Sequence, residues 1–258
     1  IQLSEEEILS SNRWVWLEKR PQKDYTLPLF SILGGRRANE CLVRVFGDTR
    51  IEDLWTNYFC VTSSLTNAEL LVHRSGLLRE LLQACLALPG ISPPVLRCED
   101  LLVDGGIINN VPGDVMQELC GGSVIVSDVN VRMEVTMQAD DVPSPWRYLA
   151  SRFVPGRKRL QMPGLLEIVA RSESLNSIIK ANQMRQRIPL YLEPPIKDFG
   201  LFDFKAMDRI VEVGYDHTKT RIAEWRANGL FDEVLQTGSP APESPRPDSV
   251  RRDDPISD

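Results

Sequence analysis

The stretch LLVDGGIINNVP, at residues 101–112, decides how this chain is interpreted. Three apolar residues run into an acid and two glycines, which predicts a short strand with the Asp104 carboxylate at its tip. Glycine has no Cβ and tolerates positive φ, so the backbone after Asp104 is free to approach a neighbouring group closely. Acids at the strand ends of an α/β sheet often orient or accept protons. Asp104 is therefore the first candidate functional residue.

A nucleophilic partner for this acid is not evident, because the sequence contains no G-x-S-x-G nucleophile elbow. The two histidines, His73 and His217, are too few for a His-rich metal site. They would complete a Ser-His-Asp triad only by coincidence. If the protein is a hydrolase, a Ser-Asp dyad fits the composition better.

The composition of the 258 residues, 42% hydrophobic and 26% charged, is that of a globular protein with one large or two small domains. A net charge of -6 argues against a nucleic-acid partner. No apolar run approaches the roughly 20 residues of a transmembrane helix, and the N-terminus does not resemble a signal peptide. Because the chain starts at Ile1, we expect a fragment or a processed piece. Five scattered cysteines without a C-x-x-C pair indicate thiols in a reducing compartment.

Hydrophobic periodicity predicts alternating helices and strands. Helices are predicted at residues 4–18, 38–46, 77–88, 113–119, 164–187, 204–214 and 216–228, and strands at 57–66, 69–73, 101–103, 123–129 and 189–192. The first helix has Ser4 as N-cap and Glu7 as its capping-box partner. We expect strands 57–66 and 69–73 to pair through a turn at 66–68. The alternation favours an α/β fold with a central, mostly parallel sheet.

Residues 1–230 are predicted to form the folded domain, and residues 237–258, rich in Pro, Ser and charge, a disordered tail. Residues 131–161 look irregular and contain the basic cluster 157–159 beside Trp146, Tyr148 and Phe153. That cluster is either a solvated loop, the simpler interpretation, or a contact for anionic lipid headgroups. Residues 34–37 are either a glycine loop or, as we prefer, a helix-capping turn. The Leu-rich helix 77–88 is interpreted as core rather than membrane-facing.

Three segments, residues 51–66, 84–95 and 104–114, resemble in order and spacing the patatin-like phospholipases, in particular the branch of neuropathy target esterase. Segments 202–204 and 212–215 are also similar to the end of that esterase domain, so the resemblance spans residues 25–229. It implies a three-layer α/β/α domain that hydrolyses phospholipid or lysophospholipid acyl esters with a Ser-Asp dyad and no cofactor.

The family's dyad aspartate lies in D-G-G/A, so the resemblance implies that Asp104 is the dyad acid rather than a turn aspartate. The remaining motif positions, which are expected to support the loop, are Gly105, Gly106, Asn109, Asn110 and Pro112. Asn109, Asn110 and Asp114 are interpreted as bracing the loop and capping the next helix rather than touching substrate. Cys85 stands where many relatives have Ser and is interpreted as a core position.

In the family, the nucleophile elbow and the oxyanion loop precede the region that corresponds to Ile1. We therefore expect the C-terminal part of an esterase domain, inactive alone, with its serine upstream. The alternative is a non-catalytic patatin-like fragment or binding module. The resemblance also implies peripheral membrane contact, upstream cyclic-nucleotide-binding-like domains and a location in the cytoplasm or on the cytosolic face of a membrane.

Overall fold

The computed structural model describes residues 3–130, 144, 165–200, 202–237 and 250–252. The first helix, α1 (Glu5–Arg13), begins at Ser4, whose Oγ accepts a hydrogen bond from the Glu7 N–H at 3.3 Å. The Glu7 carboxylate accepts in return from the Ser4 N–H at 2.7 Å, which confirms the predicted capping box. The helix continues as a π-helical segment, Trp14–Lys19, and ends at Arg20, which has a φ of 52°.

The remaining elements follow in chain order. They are α2 (Arg36–Phe46), β1 (Cys60–Ser64), β2 (Glu69–His73), α3 (Leu78–Cys85), β3 (Val95–Arg97), β4 (Asp100–Asp104), α4 (Gly106–Asn109), α5 (Gly113–Cys120), β5 (Val126–Ser127), α6 (Leu165–Arg187), β6 (Tyr191–Leu192), α7 (Met207–Ala227), α8 (Leu230–Thr237) and β7 (Val250–Arg252), with 3₁₀ turns at Pro21–Lys23, Ile51–Asp53 and Phe204–Ala206. Gly35 is the N-cap of α2 and has a φ of 75°, so residues 34–37 form the helix-capping turn.

The larger sheet has the strand order β3-β4-β1-β2-β7. Its β1–β2, β1–β4 and β3–β4 pairings are antiparallel, and only β2–β7 is parallel, so the prediction of a mostly parallel sheet does not describe these strands. The reason lies in the connections, because a parallel pair needs a crossover of a dozen or more residues. Four residues join β1 to β2, and Cys98 and Glu99, with φ of 48° and 68°, turn β3 directly into β4.

Both faces of this sheet pack against helices. Leu71 of β2 and Leu102 of β4 form an apolar cluster with Ala84 of α3 on one face. Leu70 and Val72 cluster with Val115 of α5 on the other. This alternation follows from the period of two along a strand. Helix α3 is therefore a core helix, as its Leu-rich pattern predicted.

A second sheet consists of β5 and β6, which pair in parallel and are connected through α6. Its main cluster is Val111, Val124, Val126, Ala181, Met184, Ile188 and Tyr191. Leu190 and Leu192 pack instead against Trp225 of α7 and Val234 of α8. The small sheet thus joins α6 to the C-terminal helices and brings the end of β5 near the segment that follows β4.

Several predicted boundaries differ from the structure. The two helices predicted at 204–214 and 216–228 are one helix, α7, because Gly214 is tolerated inside it. The strand predicted at 123–129 is reduced to Val126–Ser127, and β3 was not predicted. The irregular region 131–161, including the basic cluster 157–159, lies outside the described residues apart from Ser144.

Of the region predicted as a tail, Val250–Arg252 forms β7, and its disorder elsewhere stays a prediction. None of the helices in the described ranges combines the length and the apolar character of a membrane span.

Candidate active site

Asp104 is the last residue of β4, in the interior of the larger sheet. It lies opposite Thr62 of β1, and its N–H donates to the Ala87 carbonyl at 3.1 Å, just beyond α3. The backbone of this residue is therefore fixed by a neighbouring strand and by the end of a helix. A side chain on such rigid elements keeps its orientation better than one on a loop.

The Asp104 carboxylate is half-buried, and its two oxygens differ in environment. Oδ1 accepts a hydrogen bond from the Gly106 N–H at 3.0 Å. Within the described ranges, Oδ2 has no hydrogen-bond partner. Burial raises the pKa of this carboxyl above its ordinary value, and the Gly106 hydrogen bond opposes that rise only in part. The arrangement favours a carboxylate that binds a proton more readily than an exposed aspartate does.

Gly105 and Gly106 are needed for space. A Cβ on Gly105 would lie 2.4 Å from the Val61 carbonyl oxygen, so the chain can turn here only without a side chain. A Cβ on Gly106 would lie 3.1 Å from Asp104 Oδ2 and 3.0 Å from Asn110 Oδ1. Gly105 has a φ of -62°, so close approach to β1, rather than positive φ, explains this glycine.

The two asparagines after the glycines hold the loop. Asn109 is 1% exposed, and its Nδ2 donates to Asp114 Oδ1 at 2.8 Å, which also accepts from the Val115 N–H. The Asn110 N–H donates to Ser177 Oγ of α6 at 3.1 Å. Pro112 precedes α5, and its carbonyl accepts from the Met116 N–H at 3.0 Å. These contacts hold the loop against α5 and α6.

Another carboxylate, fully buried, supports the same loop from the small sheet. Asp128 follows β5, is 2% exposed and accepts a 2.7 Å hydrogen bond from the Tyr191 hydroxyl. Its other oxygen accepts from the Asn130 N–H at 3.0 Å, and the Asn130 side chain accepts from Asn110 Nδ2. A hydrogen-bonded path therefore connects β6 to the loop beside Asp104. Sequence reasoning missed this path, since only the parallel β5–β6 pairing brings its members together.

The sequence also gave no indication of which polar groups surround Asp104 on the face covered by α3. Buried Thr62, opposite Asp104, shares a 2.7 Å hydrogen bond with His73 Nε2. The half-buried Cys85 also lies near Asp104. A hydrogen bond with Cys60 holds the pKa of the Cys85 thiol below its ordinary value, and the negative charge of the Asp104 carboxylate opposes that change. Cys85 thus packs partly in the core, as expected, but also borders the candidate site.

A metal centre is not indicated around Asp104 in the part of the chain that the structure describes. Among the described residues, no group of three His, Cys, Asp or Glu side chains could hold a metal ion. Two surface clefts, one beside Trp14, Cys41 and Arg44 and one beside Tyr191 and His217, do not include Asp104. The candidate site is therefore the carboxylate at the end of β4 with its braced loop.

Comparison with known proteins points to one family. Residues 2–116 match the model of the patatin-like phospholipases. Human patatin-like phospholipase domain-containing protein 6 is 33% identical over 219 residues, covering 83% of this chain and 16% of that protein. Patatin-like phospholipase domain-containing protein 7 from Mus musculus is 33% identical over 217 residues, covering 83% of this chain and 16% of that protein. Lysophospholipase NTE1 from Meyerozyma guilliermondii is 29% identical over 233 residues, 89% of this chain and 16% of that protein.

The chain spans about a sixth of the length of these relatives. In each case the similarity extends over most of the chain, well past residue 116, and therefore includes Asp104 and the loop that follows it. The chain belongs to the patatin-like phospholipase family.

Proposed function

We propose that this chain is part of a lipid acyl-ester hydrolase of the lysophospholipase or phospholipase type, with Asp104 as the acid of a Ser-Asp dyad. The observation that carries the proposal is the Asp104 carboxylate itself. It lies at a strand end with one oxygen bound by the Gly106 N–H, while the other accepts no hydrogen bond within the described ranges. A carboxylate that activates a hydroxyl needs such a free oxygen and a raised proton affinity.

The nucleophilic serine would come from sequence upstream of this chain, because no G-x-S-x-G occurs in the 258 residues. The serine hydroxyl attacks the ester carbonyl while Oδ2 of Asp104 takes its proton. Backbone amides stabilise the tetrahedral oxyanion, and the alcohol part of the lipid leaves with the proton. Water then attacks the acyl-enzyme by the same route and releases the fatty acid. The chain alone is expected to be inactive.

The substrate class, a phospholipid or lysophospholipid, also rests on the family and on the relative named as a lysophospholipase. The length of the relatives leaves room for upstream cyclic-nucleotide-binding-like domains. Five cysteines without a disulfide favour the cytoplasm or the cytosolic face of a membrane. For the complete domain we propose a three-layer α/β/α arrangement, supported by the helices that pack on both faces of the larger sheet.

Peripheral contact with a lipid surface is supported by the loop at residues 25–33, here called the apolar loop. A bridge between Tyr25 and Leu33 closes its base. The side chains at its tip point to solvent, with Leu27 73%, Leu29 74% and Phe30 83% exposed. In the sequence, an exposed cation precedes the loop, Lys23, and another follows it, Arg36. An exposed apolar tip in a segment bounded by basic residues suits an interface with anionic lipid headgroups.

The dyad is tested with the full natural protein, wild type and Asp104→Asn, by hydrolysis of lysophosphatidylcholine and labelling with a fluorophosphonate. We expect the variant to lose on the order of 10⁴-fold in kcat and to label far more slowly, because its serine has no base. Asp100→Asn, on the same strand, is the matched control and should stay within a few-fold of wild type.

Two outcomes would contradict the proposal. Folded Asp104→Asn protein that keeps its kcat would exclude Asp104 as the dyad acid. Folded wild-type protein that neither labels nor turns over substrate would favour the alternative, a non-catalytic patatin-like binding module.

A further inference from the structure

Two cysteine thiols meet beside the candidate site. Cys60 is the first residue of β1 and is 8% exposed, whereas Cys85 is the last residue of α3 and is half-buried. Cys85 Sγ donates to the carbonyl of Val61, the residue after Cys60, at 3.4 Å. Cys85 also packs against the apolar cluster that Cys60 forms with Leu78 and Leu81. The strand and the helix thus hold the two sulfur atoms together.

The groups around Cys85 shift the pKa of its thiol in opposite directions. A hydrogen bond with Cys60 lowers the pKa of Cys85, while burial and the negative charge of Asp104 oppose that change. Tyr58 lies against the same pair, and burial raises the pKa of its hydroxyl, which therefore stays protonated. The hydrogen bond with Cys60 thus favours the thiolate form of Cys85, which is also the more exposed residue of the pair.

The other three cysteines lack this arrangement. Cys41 lies in α2, and burial raises the pKa of its thiol. Cys98 and Cys120 are exposed, one in the β3–β4 turn and one at the end of α5. They are therefore internal controls for accessibility, since both are more exposed than Cys60 and Cys85.

We propose that Cys60 and Cys85 form a reversible disulfide when the protein meets a hydroperoxide, with Cys85 as the attacking thiolate and Cys60 as the resolving thiol. Cys85 Sγ attacks one peroxide oxygen, so that an S–O bond forms, the O–O bond breaks and the other oxygen leaves as hydroxide or alkoxide. The Cys60 sulfur then attacks the Cys85 sulfenic acid. An S–S bond forms, and the hydroxyl group leaves as water with the Cys60 proton. The sulfurs are oxidised by two electrons and the peroxide is reduced.

This disulfide would link β1 covalently to the end of α3. The bond would be made at Cys60, two residues before Thr62, which lies opposite Asp104. It would also remove a thiolate from the neighbourhood of the Asp104 carboxylate. A low-molecular-weight thiol reverses the bond by exchange. The inference stands on the two thiols alone and does not rest on the proposed hydrolase activity.

Peptide mapping of the full natural protein tests the proposal. Trypsin places Cys60 in peptide 51–74, Cys85 in peptide 80–97 and both exposed cysteines in peptide 98–132. The protein is treated with hydrogen peroxide, and the remaining thiols are then alkylated. We expect peptides 51–74 and 80–97 to appear as one linked species, whose mass is that of the two peptides less two hydrogens. Neither Cys60 nor Cys85 should carry an alkyl group in that species. Dithiothreitol should restore both peptides. The proposal is wrong if Cys60 and Cys85 are still fully alkylated under conditions that already oxidise Cys98 and Cys120.

Single substitutions separate the two roles. In Cys60→Ser, Cys85 should stop at the sulfenic acid and be trapped by a 1,3-dione, whereas in Cys85→Ser the residue Cys60 should stay reduced. Cys120→Ser is the matched control and should leave the linked peptides unchanged. Oxidation of Cys60 at the wild-type rate in Cys85→Ser would overturn the assignment of the attacking thiolate. If Cys60→Ser does not fold, the mapping of wild-type protein still decides the question.

Discussion

The environment of Asp104 that suits proton transfer should also cost the protein stability. Burial disfavours the charged form of the carboxyl, and one hydrogen bond from the Gly106 N–H offsets this only partly. A residue retained for proton affinity rather than for packing is the kind whose removal stabilises a fold. The free energy of unfolding can therefore report on this residue independently of activity.

We predict that Asp104→Asn raises the thermal stability of the folded protein at neutral pH. The folded-state pKa of Asp104 lies above the unfolded one, so the cost of its charge is present above the folded pKa and falls as pH falls through it. Below about pH 3, where the carboxyl is protonated in both states, the difference from wild type should vanish. Thermal unfolding followed at several pH values measures this.

Asp100→Asn provides a control of opposite sign on the same strand. Asp100 Oδ1 accepts hydrogen bonds from Ser64 Oγ at 2.9 Å and from Asn67 Nδ2. Weakening these bonds should lower stability at neutral pH by about 1 kcal/mol. A lower melting temperature for Asp104→Asn at neutral pH would mean that contacts stabilise the Asp104 carboxylate by more than burial destabilises it.

The residues of the site divide by how far sequence could predict them. Asp104 and its glycines were predicted, because an acid and two glycines after an apolar run define both a strand tip and a close approach. The proximity of Thr62 and Cys85 to Asp104 could not be predicted, since it depends on the antiparallel register of β1 and β4 and on where α3 ends. Side chains far apart in sequence meet only through such pairings.

At the scale of elements, the junction of β4 and α4 packs directly on the backbone of β1. We predict that Gly105→Ala destabilises the protein by about 1–3 kcal/mol, because overpacking forces backbone shifts. The new Cβ would lie 2.4 Å from the Val61 carbonyl oxygen, and a backbone atom in a paired strand cannot move aside as a flexible side chain would. Urea denaturation of wild type and variant measures the difference.

Gly214→Ala is the matched control for that substitution. Gly214 lies inside α7 with no atom within 4 Å of an added Cβ, so alanine meets no clash there. It should stabilise the protein by about 0.5–1 kcal/mol through better helix propensity. Equal effects of the two alanines would contradict the packing argument for Gly105.

Connections also explain which elements could be predicted. The β1–β2 hairpin was predicted because a short turn separates two runs of β-forming residues, and the same reasoning excludes a parallel arrangement of these two strands. Alternation of helices and strands along the chain nevertheless suggested a parallel sheet. The parallel order occurs where the connection is long, between β5 and β6, with α6 in between. Connection length was thus a better guide to strand direction than alternation.

At the scale of the whole molecule, the tip of the apolar loop exposes three large side chains to solvent. Leu27, Leu29 and Phe30 are adjacent along the tip and far more exposed than apolar side chains in a core. An enzyme that acts on lipids must reach substrate held in a bilayer, and inserting such a tip would gain the free energy of burying apolar area. Part of a longer protein could cover the same surface, and the two cases differ in measurable ways.

We predict that the triple variant Leu27→Ser, Leu29→Ser, Phe30→Ser of the full natural protein binds vesicles of phosphatidylcholine and phosphatidylserine on the order of 10²-fold more weakly than wild type, while its melting temperature is unchanged. Partial burial of three large apolar side chains accounts for a loss of that size. Leu96→Ser, at a leucine that is 72% exposed on β3, is the control and should bind as wild type does. Vesicle co-sedimentation measures binding. A triple variant that binds normally but melts at a lower temperature would mean that the protein itself, and not a lipid surface, covers the loop.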